Sequence, residues 1–458
     1  MLSYMPQTIL LKNALRLVTM DDDRRELENG WIFIEDRKIS AIGGSDDPCP
    51  DATRVYDMSG HVVMPGMVNT HHHMYQSLTR VVPQAQDVSL FQWLKTLYPI
   101  WSRITPEMIR ISACTAMAEL MKSGCTTSSD HLYLFPNGCR LDDEIEAAAE
   151  MGMRFHACRG SMSVGESQGG LPPDSLVEKE SDILKDTLRV IEEFHDPEPL
   201  SMLTVGGAPC SPFSVSRELM RDMAGLARST GTRLHTHLAE NDHDVAYSRE
   251  RFGQTPAEYA EEAGWLGHDV WHAHCVKLDA DGMTRFGQTG TGIAHCPCSN
   301  MRLGSGIAPV RKMLGCGVPV GLGVDGSASN DGGHLLGETR QAMLVSRLLP
   351  QQDEATIGLT ARDTLELATR GGARVLGRED IGQLNVGKAA DIVAFDMSKL
   401  DHAGALIDPV AALVFCNPIS VTFSMVNGKV LIEKGEFLNI ELPSLVKRHN
   451  ELSLMLCN

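Results

Sequence analysis

Histidine occurs at closely spaced positions in three separate stretches of this chain. The stretch MPGMVNTHHHMYQ contains His71, His72 and His73, and the later stretches HTHLAE and HAHC contain further pairs. If a strand ends near residue 73, His71 and His73 point to one face and His72 to the other, because side chains alternate along a strand. Imidazole nitrogens that share one face are suitable ligands for Zn²⁺ or Fe²⁺.

Further groups that suit such a site follow short apolar runs later in the chain. They are His237 and Glu240 in HTHLAE, His274 in HAHC, and Asp325 in GLGVDG. A lone His-x-His pair is a weak signal, but imidazoles combined with a carboxylate form a common ligand set of Zn²⁺. The sequence therefore predicts a metal site assembled from distant parts of the chain.

Other histidines beside these stretches have a structural interpretation. His72 is predicted to lie on the outer face, and His235 and His272 are predicted to be hydrogen-bonded residues of the core. For His295, which precedes Cys296, a role in the pocket and a role in packing are equally open.

Short apolar runs alternate with helical stretches through the middle of the chain. Eight runs have the length of strands, from VVMPGMVNTHHH to VPVGLGVDG, and this alternation predicts a (β/α)₈ TIM-type barrel. Such barrels place their active sites at the carboxyl ends of the strands, where the candidate ligands fall. One helix has a clear start, with Thr105 at the cap and Pro106 at the first helical position.

Both ends of the chain have the pattern of short strands separated by turns. The first sixty residues are rich in apolar and β-branched residues, and the C-terminal stretch VTFSMVNGKVLIEKG contains Asn427-Gly428, a strong hairpin signal. We therefore expect a small β-sandwich domain built from residues 1–63 and 378–458, beside a catalytic barrel of residues 64–377.

The composition narrows the class of protein. The 458 residues carry a formal net charge of −18, which disfavours binding to nucleic acid or to an anionic membrane. No apolar run is long enough to span a membrane, and no signal peptide is visible. The twelve cysteines include no CxxC pair, and Cys296 and Cys298 are interpreted as small buried residues, so we expect reduced thiols and a cytoplasmic location.

Four strings carry a resemblance to a known family, in that family's order. PGMVNTHHH, HLAE, HAHC and GLGVDGSASND resemble the amidohydrolase superfamily, in the branch of purine deaminases and triazine hydrolases. The resemblance implies that His71, His73, His237 and Asp325 bind one Zn²⁺ per chain, with Fe²⁺ as the alternative. Members of the family with two metals typically bridge them with a lysine carbamate or a glutamate from the fourth strand. The fourth strand here, LTVGGAPCSPFSV, has neither residue, which favours a single metal. The resemblance also implies a small-molecule substrate and a homo-oligomer.

A hydrolytic mechanism follows from the same resemblance. A metal lowers the pKa of a bound water to about 7, and the hydroxide attacks a ring carbon that carries an amino group. The resemblance assigns the proton of that water to Asp325 and the transfer of protons to the ring nitrogen and the leaving amine to Glu240. His274 is expected to contact the metal-bound water or the substrate.

Three strings narrow the substrate within this branch. HHHMYQSLTR, RGSMSVGESQGGLPPDSLVE and HCPCSNMRLGSGIAPV are most similar to deaminases of oxidised purines, which implies conversion of 8-oxoguanine and water to urate and ammonia. Gln76 is the candidate reader of the N–C–N edge of the ring, because a carboxamide both donates and accepts. A structural amide at Gln76 is nearly as well supported. Tyr133 and Arg159 are weaker candidates for contacts to the exocyclic oxygens.

Alternative functions remain open on the sequence. They are a guanine or isocytosine-like deaminase, an s-triazine hydrolase that releases chloride or alkylamine, and a non-catalytic scaffold of the same fold. Glu240 argues against the scaffold, since a scaffold needs no proton carrier beside a metal. The segment 161–180 is a candidate lid, because glycines and prolines follow the third strand there.

Overall fold

Short strands separated by turns occupy the N-terminal part of the computed structural model, which describes residues 7–350 and 357–458. They are β1 (Thr8–Ala14), β2 (Arg16–Val18), β3 (Glu26–Leu27), β4 (Gly30–Glu35), β5 (Lys38–Gly43), β6 (Arg54–Asp57) and β7 (His61–Pro65). In β4, Ile32 and Ile34 are fully buried while Glu35 is exposed. This is the pattern of a strand that has a core on one face.

A closed barrel of eight parallel strands follows, and neighbouring strands keep the order of the chain until the last pairs with the first. Its strands are β8 (Met67–Asn69), β9 (Cys125–Leu132), β10 (Arg154–Ser161), β11 (Leu203–Pro209), β12 (Arg233–Leu238), β13 (Val270–His274), β14 (Gly292–His295) and β15 (Val320–Leu322). β9 and β10 are buried at every residue, as expected of parallel strands enclosed by helices. The predicted (β/α)₈ barrel is confirmed.

Helices connect the barrel strands and cover the outside of the barrel. They are α1 (Leu90–Trp101), α2 (Pro106–Lys122), α3 (Asp142–Met151), α4 (Glu180–Phe194), α5 (Arg217–Thr230), α6 (Asp242–Phe252), α7 (Pro256–Glu262), α8 (Ala280–Thr289), α9 (Pro297–Arg302), α10 (Val310–Gly315), α11 (Leu335–Ser346), α12 (Ala361–Glu366), α13 (Gly372–Val375), α14 (Pro409–Phe415) and α15 (Leu442–Cys457). The cap predicted for α2 is confirmed, since the Thr105 side chain accepts from the Met108 amide. None of the helices in the described ranges is both long and apolar enough to cross a bilayer.

Strands near the C-terminus return to the N-terminal ones. They are β16 (Ile392–Asp396), β17 (Phe423–Val426), β18 (Lys429–Glu433) and β19 (Glu436–Phe437). β16 pairs with β7, which gives one sheet in the order β19-β18-β17-β16-β7-β2-β3, while a second sheet has the order β5-β4-β1-β6. Ile32 and Ile34 of one sheet form a common buried cluster with Val63, Ile392 and Met425 of the other. The composite β-sandwich predicted from both chain ends is therefore present.

The turn between β17 and β18 follows the sequence signal. Asn427 and Gly428 have φ angles of 50° and 79°. A two-residue hairpin loop with positive φ at both positions matches the right-handed twist of the flanking strands. Gly428 also lies close to the backbone of Asp36, where a side chain at this position would collide.

A buried ion pair joins the barrel to the sandwich. The guanidinium of Arg154, in β10, donates two hydrogen bonds of 3.0 Å to the carboxylate of Asp391, which precedes β16. The two side chains are 0% and 2% exposed. The same carboxylate accepts from the Asn427 amide at 2.6 Å, so three distant parts of the chain meet at one buried charge.

The C-terminal helix α15 leaves the sandwich and contacts the barrel. Nε2 of His449 lies 3.1 Å from Oγ of Ser77, and the Ser453 hydroxyl donates to the Leu78 carbonyl. α15 also contacts α2. The division of the chain into residues 1–63 plus 378–458 and residues 64–377 stays a prediction.

Candidate metal centre

The histidine stretches and Asp325 meet at the carboxyl end of the barrel. Nε2 of His73 lies 3.1 Å from Nε2 of His237. Oδ1 of Asp325 lies 3.2 Å from Nε2 of His71 and 3.4 Å from Nε2 of His73. Ligand atoms that surround a tetrahedral Zn²⁺ at 2.0–2.1 Å are about 3.4 Å from one another. The spacings from His73 to His237 and from Asp325 to His71 and His73 therefore fit donors around one ion of this kind.

Each of the three predicted histidine ligands is held through its second ring nitrogen. The Nδ1 contacts are His71 to Nε2 of His235 at 2.8 Å, His73 to the His131 carbonyl at 2.7 Å, and His237 to the Cys210 carbonyl at 2.6 Å. Such contacts fix the ring orientation and place the proton on Nδ1, which leaves Nε2 free to bind a metal. His235 thus has a task beyond the core role that the sequence predicts.

Burial keeps the imidazoles of the three predicted histidine ligands uncharged. It lowers the pKa of His71 well below its usual value and the pKa of His237 to about 3. Burial alone would raise the pKa of Asp325, but its close contact with His71 and the nearby charge of His274 hold that pKa well below the ordinary range. Neutral imidazoles and an ionised carboxylate are the protonation states that a metal ion requires of its ligands.

Glu240 and His274 lie beside the ligand set. Nε2 of His274 is 3.8 Å from Oε2 of Glu240 and 3.8 Å from Oδ2 of Asp325. Nδ1 of His274 is 2.9 Å from Oδ1 of Asn300 in α9, which directs Nε2 into the site. Burial raises the pKa of the Glu240 carboxyl above its usual value. A buried carboxyl with a raised pKa is suited to carry a proton near neutral pH.

His131 is a residue of the site that the sequence analysis does not include. Its ring nitrogens and those of His71, His73 and His237 lie within 4.8 Å of one another. Nε2 of His131 contacts the Ala208 carbonyl at 2.7 Å, and its buried Nδ1 has no hydrogen-bond partner among the described residues, so Nδ1 is the nitrogen that His131 could offer to the site. The string SSDHLYL contains one histidine with no neighbour at metal-ligand spacing, and its position at the end of β9 is its only sequence signal.

The backbone is strained at the ends of the strands that carry the site. His274, Asp325 and Ala239 have φ angles of 68°, 62° and 50°, although none of them is glycine. Left-handed backbone at such residues costs about 1–3 kcal/mol and tends to occur at functional sites. The turn at Ala239 directly precedes Glu240, and therefore sets the direction in which that carboxyl leaves β12.

A cavity with a volume of about 470 Å³, including its opening to solvent, lies over the ligand set. Its apolar wall comes mainly from α1, with Leu90, Trp93, Leu94 and Tyr98. Among the described residues that line it, none is lysine or arginine. The cavity therefore suits a neutral, flat and partly apolar molecule, whereas phosphates and carboxylates lack a cationic partner there.

Two of the three predicted substrate-binding residues line this cavity. Gln76, in a 3₁₀ turn over Met74–Thr79, is 1% exposed, and its Oε1 has no hydrogen-bond partner in the described part of the chain. A side chain at Gly326 would collide with this carboxamide, so glycine there makes room for Gln76. Tyr133 is 3% exposed, and its ring lies 5.0 Å from that of His73.

Arg159 is not brought to the cavity. Its guanidinium donates to Glu178 at 2.7 and 2.8 Å and to Asp186 at 3.0 Å, and it lies over the ring of Phe135. These carboxylates neutralise its charge outside the cavity. The expectation that Arg159 contacts the exocyclic oxygens of a substrate therefore needs correction, and its role is to hold the connection after β10.

The candidate lid also lies elsewhere. No residue of the segment 161–180 lines the cavity. Instead, the amides of Ser163 and Val164 donate to the Ser214 carbonyl at 2.9 and 3.1 Å, which fixes the segment beside the β11–α5 connection. The cavity is covered by α1, so the roof of the site comes from the β8–α2 connection.

The remaining histidines of the predicted strand ends are buried outside the ligand set. His72 is fully buried, and its Nδ1 accepts from the His73 amide at 2.8 Å. Nε2 of His272 lies 3.0 Å from the Trp265 carbonyl, as expected of a core residue. His295 does not line the cavity, and burial lowers its pKa to about 3, so packing is the better description of it.

Comparison with known proteins agrees with this geometry. Residues 62–431 match the family model described as the Amidohydrolase family. This chain belongs to the amidohydrolase family. The amidohydrolase is 44% identical over 423 residues to 8-oxoguanine deaminase from Pseudomonas aeruginosa, which covers 92% of this chain and 93% of that protein. It is also 34% identical to hydroxydechloroatrazine ethylaminohydrolase from Pseudomonas sp. strain ADP, over 96% and 94% of the two chains.

Solved structures show the same architecture. Atrazine chlorohydrolase from Arthrobacter aurescens TC1, in a structure complexed with zinc, superimposes on the amidohydrolase with a TM-score of 0.92 at 36% identity. The match covers 97% of this chain and 100% of that chain. Members of this family bind a divalent metal. The His and Asp donor atoms that lie together in the present chain agree with such a site.

Proposed function

We propose that this amidohydrolase is a mononuclear, metal-dependent deaminase that converts 8-oxoguanine and water to urate and ammonia. The observation that carries the proposal is the placement of Glu240 and His274 beside the four-ligand set, under a cavity without a cationic side chain. The 44% identity to 8-oxoguanine deaminase over nearly the whole chain supports the choice of substrate.

We propose Zn²⁺ as the metal, with Fe²⁺ as the alternative. Three neutral imidazoles and one carboxylate, in His71, His73, His237 and Asp325, form a donor set that Zn²⁺ prefers. The zinc in the structure of the related chlorohydrolase supports the same choice. When bound there, a divalent ion supplies a Lewis acid that activates water for attack on the ring.

The residues of the chain itself supply binding and proton transfer. The Glu240 carboxyl delivers its proton to the ring nitrogen, and it then helps to pass the proton that Asp325 has taken from water to the leaving amine, since amide ion is too basic to leave. The Asp325 carboxylate accepts a proton from water. Nε2 of His274, held through Asn300, stabilises the negative charge that develops between Glu240 and Asp325.

Recognition of the ring is assigned to Gln76 and Tyr133. The Gln76 carboxamide can both donate to and accept from the N–C–N edge of the ring, and its buried Oε1 has no partner within the described residues. The Tyr133 hydroxyl is the candidate for an exocyclic oxygen. The apolar ring faces of the substrate would lie against the α1 residues Trp93 and Leu94.

The direct test is incubation of the zinc-loaded enzyme with 8-oxoguanine. We expect the absorbance of urate and one ammonia per urate. Guanine, isocytosine and a hydroxylated amino-triazine serve as parallel substrates. Good turnover of one of these with none of 8-oxoguanine would remove the assigned substrate and keep the reaction class.

Hydrolysis of an s-triazine is the second candidate. The superposition on atrazine chlorohydrolase and the 34% identity to an ethylaminohydrolase favour it. Both reactions attack an electron-poor ring carbon, so the metal centre alone does not separate them. Release of chloride or of an alkylamine from substituted triazines, at a higher kcat/KM than urate formation, would establish this candidate instead.

We further propose a cytoplasmic location and a homo-oligomer. The cysteines of the described residues are free thiols, which supports a reducing compartment. Apolar side chains on α15, including the 64% exposed Leu454 and Met455, support association between copies. Light scattering of the purified enzyme would measure the oligomeric state.

A further inference from the structure

A second, smaller cavity adjoins the metal centre on the side of α6 and α7. The side chains of His237 and Phe213 line both cavities, so the two spaces are neighbours across these rings. The second cavity, called the side cavity below, has a volume of about 290 Å³ including its opening to solvent, and only about 20 Å³ of it admits the centre of a molecule of the size of water. That is room for one molecule of the size of water.

Three oxygens without hydrogen-bond partners belong to residues that line the side cavity. They are Oδ1 of Asp244, Oγ of Ser248 and the hydroxyl of Tyr259, none of which has a partner among the described residues. The three residues are 9%, 6% and 1% exposed. One buried polar atom without a partner costs about 1–3 kcal/mol. Three such atoms around one small space indicate that an occupant satisfies them.

The chemistry of the wall indicates a cation that donates hydrogen bonds. Oδ2 of Asp244 already accepts from the Glu240 amide at 2.8 Å, which leaves Oδ1 for the side cavity. Carboxylate and hydroxyl oxygens can all accept, and none of the described lining residues is lysine or arginine. The rings of Phe213 and Tyr247, 6.1 Å apart, line the same space and favour a cation over a neutral molecule.

We propose that the side cavity binds an ammonium ion, the form that released ammonia takes at neutral pH; the proposal that this ion is the product rests on the proposed deaminase function. An ammonium ion has the size of a water molecule and four N–H donors, enough for Asp244, Ser248 and Tyr259. The Glu240 amide is bonded to the same Asp244 carboxylate, so the side cavity lies beside the residue that serves the leaving amine.

A binding experiment tests the ion site without turnover. The melting temperature of the zinc-loaded enzyme is measured in ammonium chloride, sodium chloride and tetramethylammonium chloride at equal ionic strength, with no purine present. We expect a rise that saturates only with ammonium, because tetramethylammonium has no N–H donor and does not fit. Identical curves in all three salts would mean that the side cavity holds a water molecule, and would overturn the proposal.

Variants locate the effect. Asp244→Asn retains an oxygen for the Glu240 amide but removes the charge, and Ser248→Ala and Tyr259→Phe each remove one hydroxyl. We expect about a tenfold or greater loss of ammonium affinity for Asp244→Asn and smaller losses for the other two. An ammonium effect of wild-type size in all three variants would place the ion elsewhere and overturn the proposal.

Product inhibition tests the link to the reaction. Added ammonium should inhibit urate formation noncompetitively with respect to 8-oxoguanine, since the side cavity lies outside the space for the ring. Competitive inhibition would place ammonium in the main cavity and contradict the proposal. If the enzyme binds ammonium but forms no urate, the proposed substrate is wrong and the proposed ion site is still supported. Failure of the proposed function and failure of the ion site are therefore distinguishable.

Discussion

The Nδ1 atoms of the site histidines show how one polar contact sets the chemistry of the opposite atom of a ring. Nδ1 of each of the three predicted ligands contacts a neighbouring ring nitrogen or backbone carbonyl, and Nε2 is thereby free to bind a metal; the three are His71, His73 and His237. His131 does the reverse, because its Nε2 contacts a carbonyl. At the scale of a residue, the contact on one ring nitrogen thus decides which nitrogen is left for a metal, Nε2 in the three predicted ligands and Nδ1 in His131.

Replacement of His235 by leucine should weaken metal binding. The substitution leaves Nδ1 of His71 without its partner at 2.8 Å, and loss of such a contact typically costs 10- to 100-fold in metal affinity. Competition with a chromogenic zinc chelator measures the affinity. His272→Leu is the matched control, because His272 is equally buried but contacts the Trp265 carbonyl away from the site. Equal losses of metal affinity in both variants would contradict the role given to His235.

Glu240→Gln should reduce kcat by about 10²- to 10⁴-fold, the usual contribution of a positioned acid or base. The amide retains the shape of the side chain but cannot transfer a proton. Metal content, measured by atomic absorption, should stay at one ion per chain, since Glu240 is not in the proposed ligand set. Unchanged turnover would show that another group carries the proton.

The sequence was informative for residues whose position on a strand determines where they point. His71, His73, His237, Glu240, His274 and Asp325 come together because the carboxyl ends of parallel strands meet at one mouth of the barrel. Arg159 lies near another strand end, but its long side chain reaches Glu178 and Asp186. Asn300, the partner of His274, has no spacing signal at all. The alternation of side chains along a strand predicts the face to which a residue points. The group that the side chain contacts depends on neighbours that come together only in the folded protein.

At the scale of elements, connections decide what covers the site. The sequence predicts the strands, the α2 cap and the Asn427-Gly428 hairpin, because these depend on local backbone preferences. The glycines and prolines of the segment 161–180 make it a candidate lid, whereas the residues that line the cavity come from α1 and not from this segment. The direction in which a connection folds depends on which apolar surface it can bury, and this surface exists only after the barrel has formed.

The connection after α13 offers a test of electrostatic stability. The Asp380 carboxylate accepts from Arg378 at 2.7 and 2.8 Å and from the Leu200 amide at 2.7 Å. Burial acts to raise the pKa of Asp380, but these contacts outweigh it and lower the pKa to about 2. Because the folded-state pKa is lowered, the stabilisation is complete above the unfolded pKa near 3.9 and is lost as the pH falls through about 2.

Asp380→Asn should therefore destabilise the protein by about 2 kcal/mol at pH 7, the equivalent of this pKa shift. The difference from wild type should persist down to about pH 4 and shrink below it. Urea-unfolding midpoints at a series of pH values measure this. Asp51→Asn, at an exposed position, is the control and should have little effect at any pH. If Asp380→Asn destabilises the protein equally at every pH, the cause is a poor fit of the amide group and not the loss of the charge.

At the scale of the whole molecule, the metal centre draws on distant parts of the chain, from His71 to Asp325. A ligand that binds only the folded state stabilises it by RT ln(1 + [L]/Kd), about 4 kcal/mol at 1,000 times Kd. Removal of the metal with a chelator should lower the melting temperature, and Zn²⁺ should restore it. His71→Ala should show neither response. A melting temperature that chelation leaves unchanged in the wild type would speak against a bound metal.

The pairing of β7 with β16 has a consequence for how the protein is made. β7 lies inside its sheet, between β2 and β16, yet β16 begins at Ile392. A ribosome that adds about 5–20 residues per second reaches that strand roughly 16–65 s after it has passed Pro65. During that interval β7 presents an open hydrogen-bonding edge to other nascent chains. We therefore expect the yield of soluble enzyme to depend on the rate of translation and on the presence of chaperones.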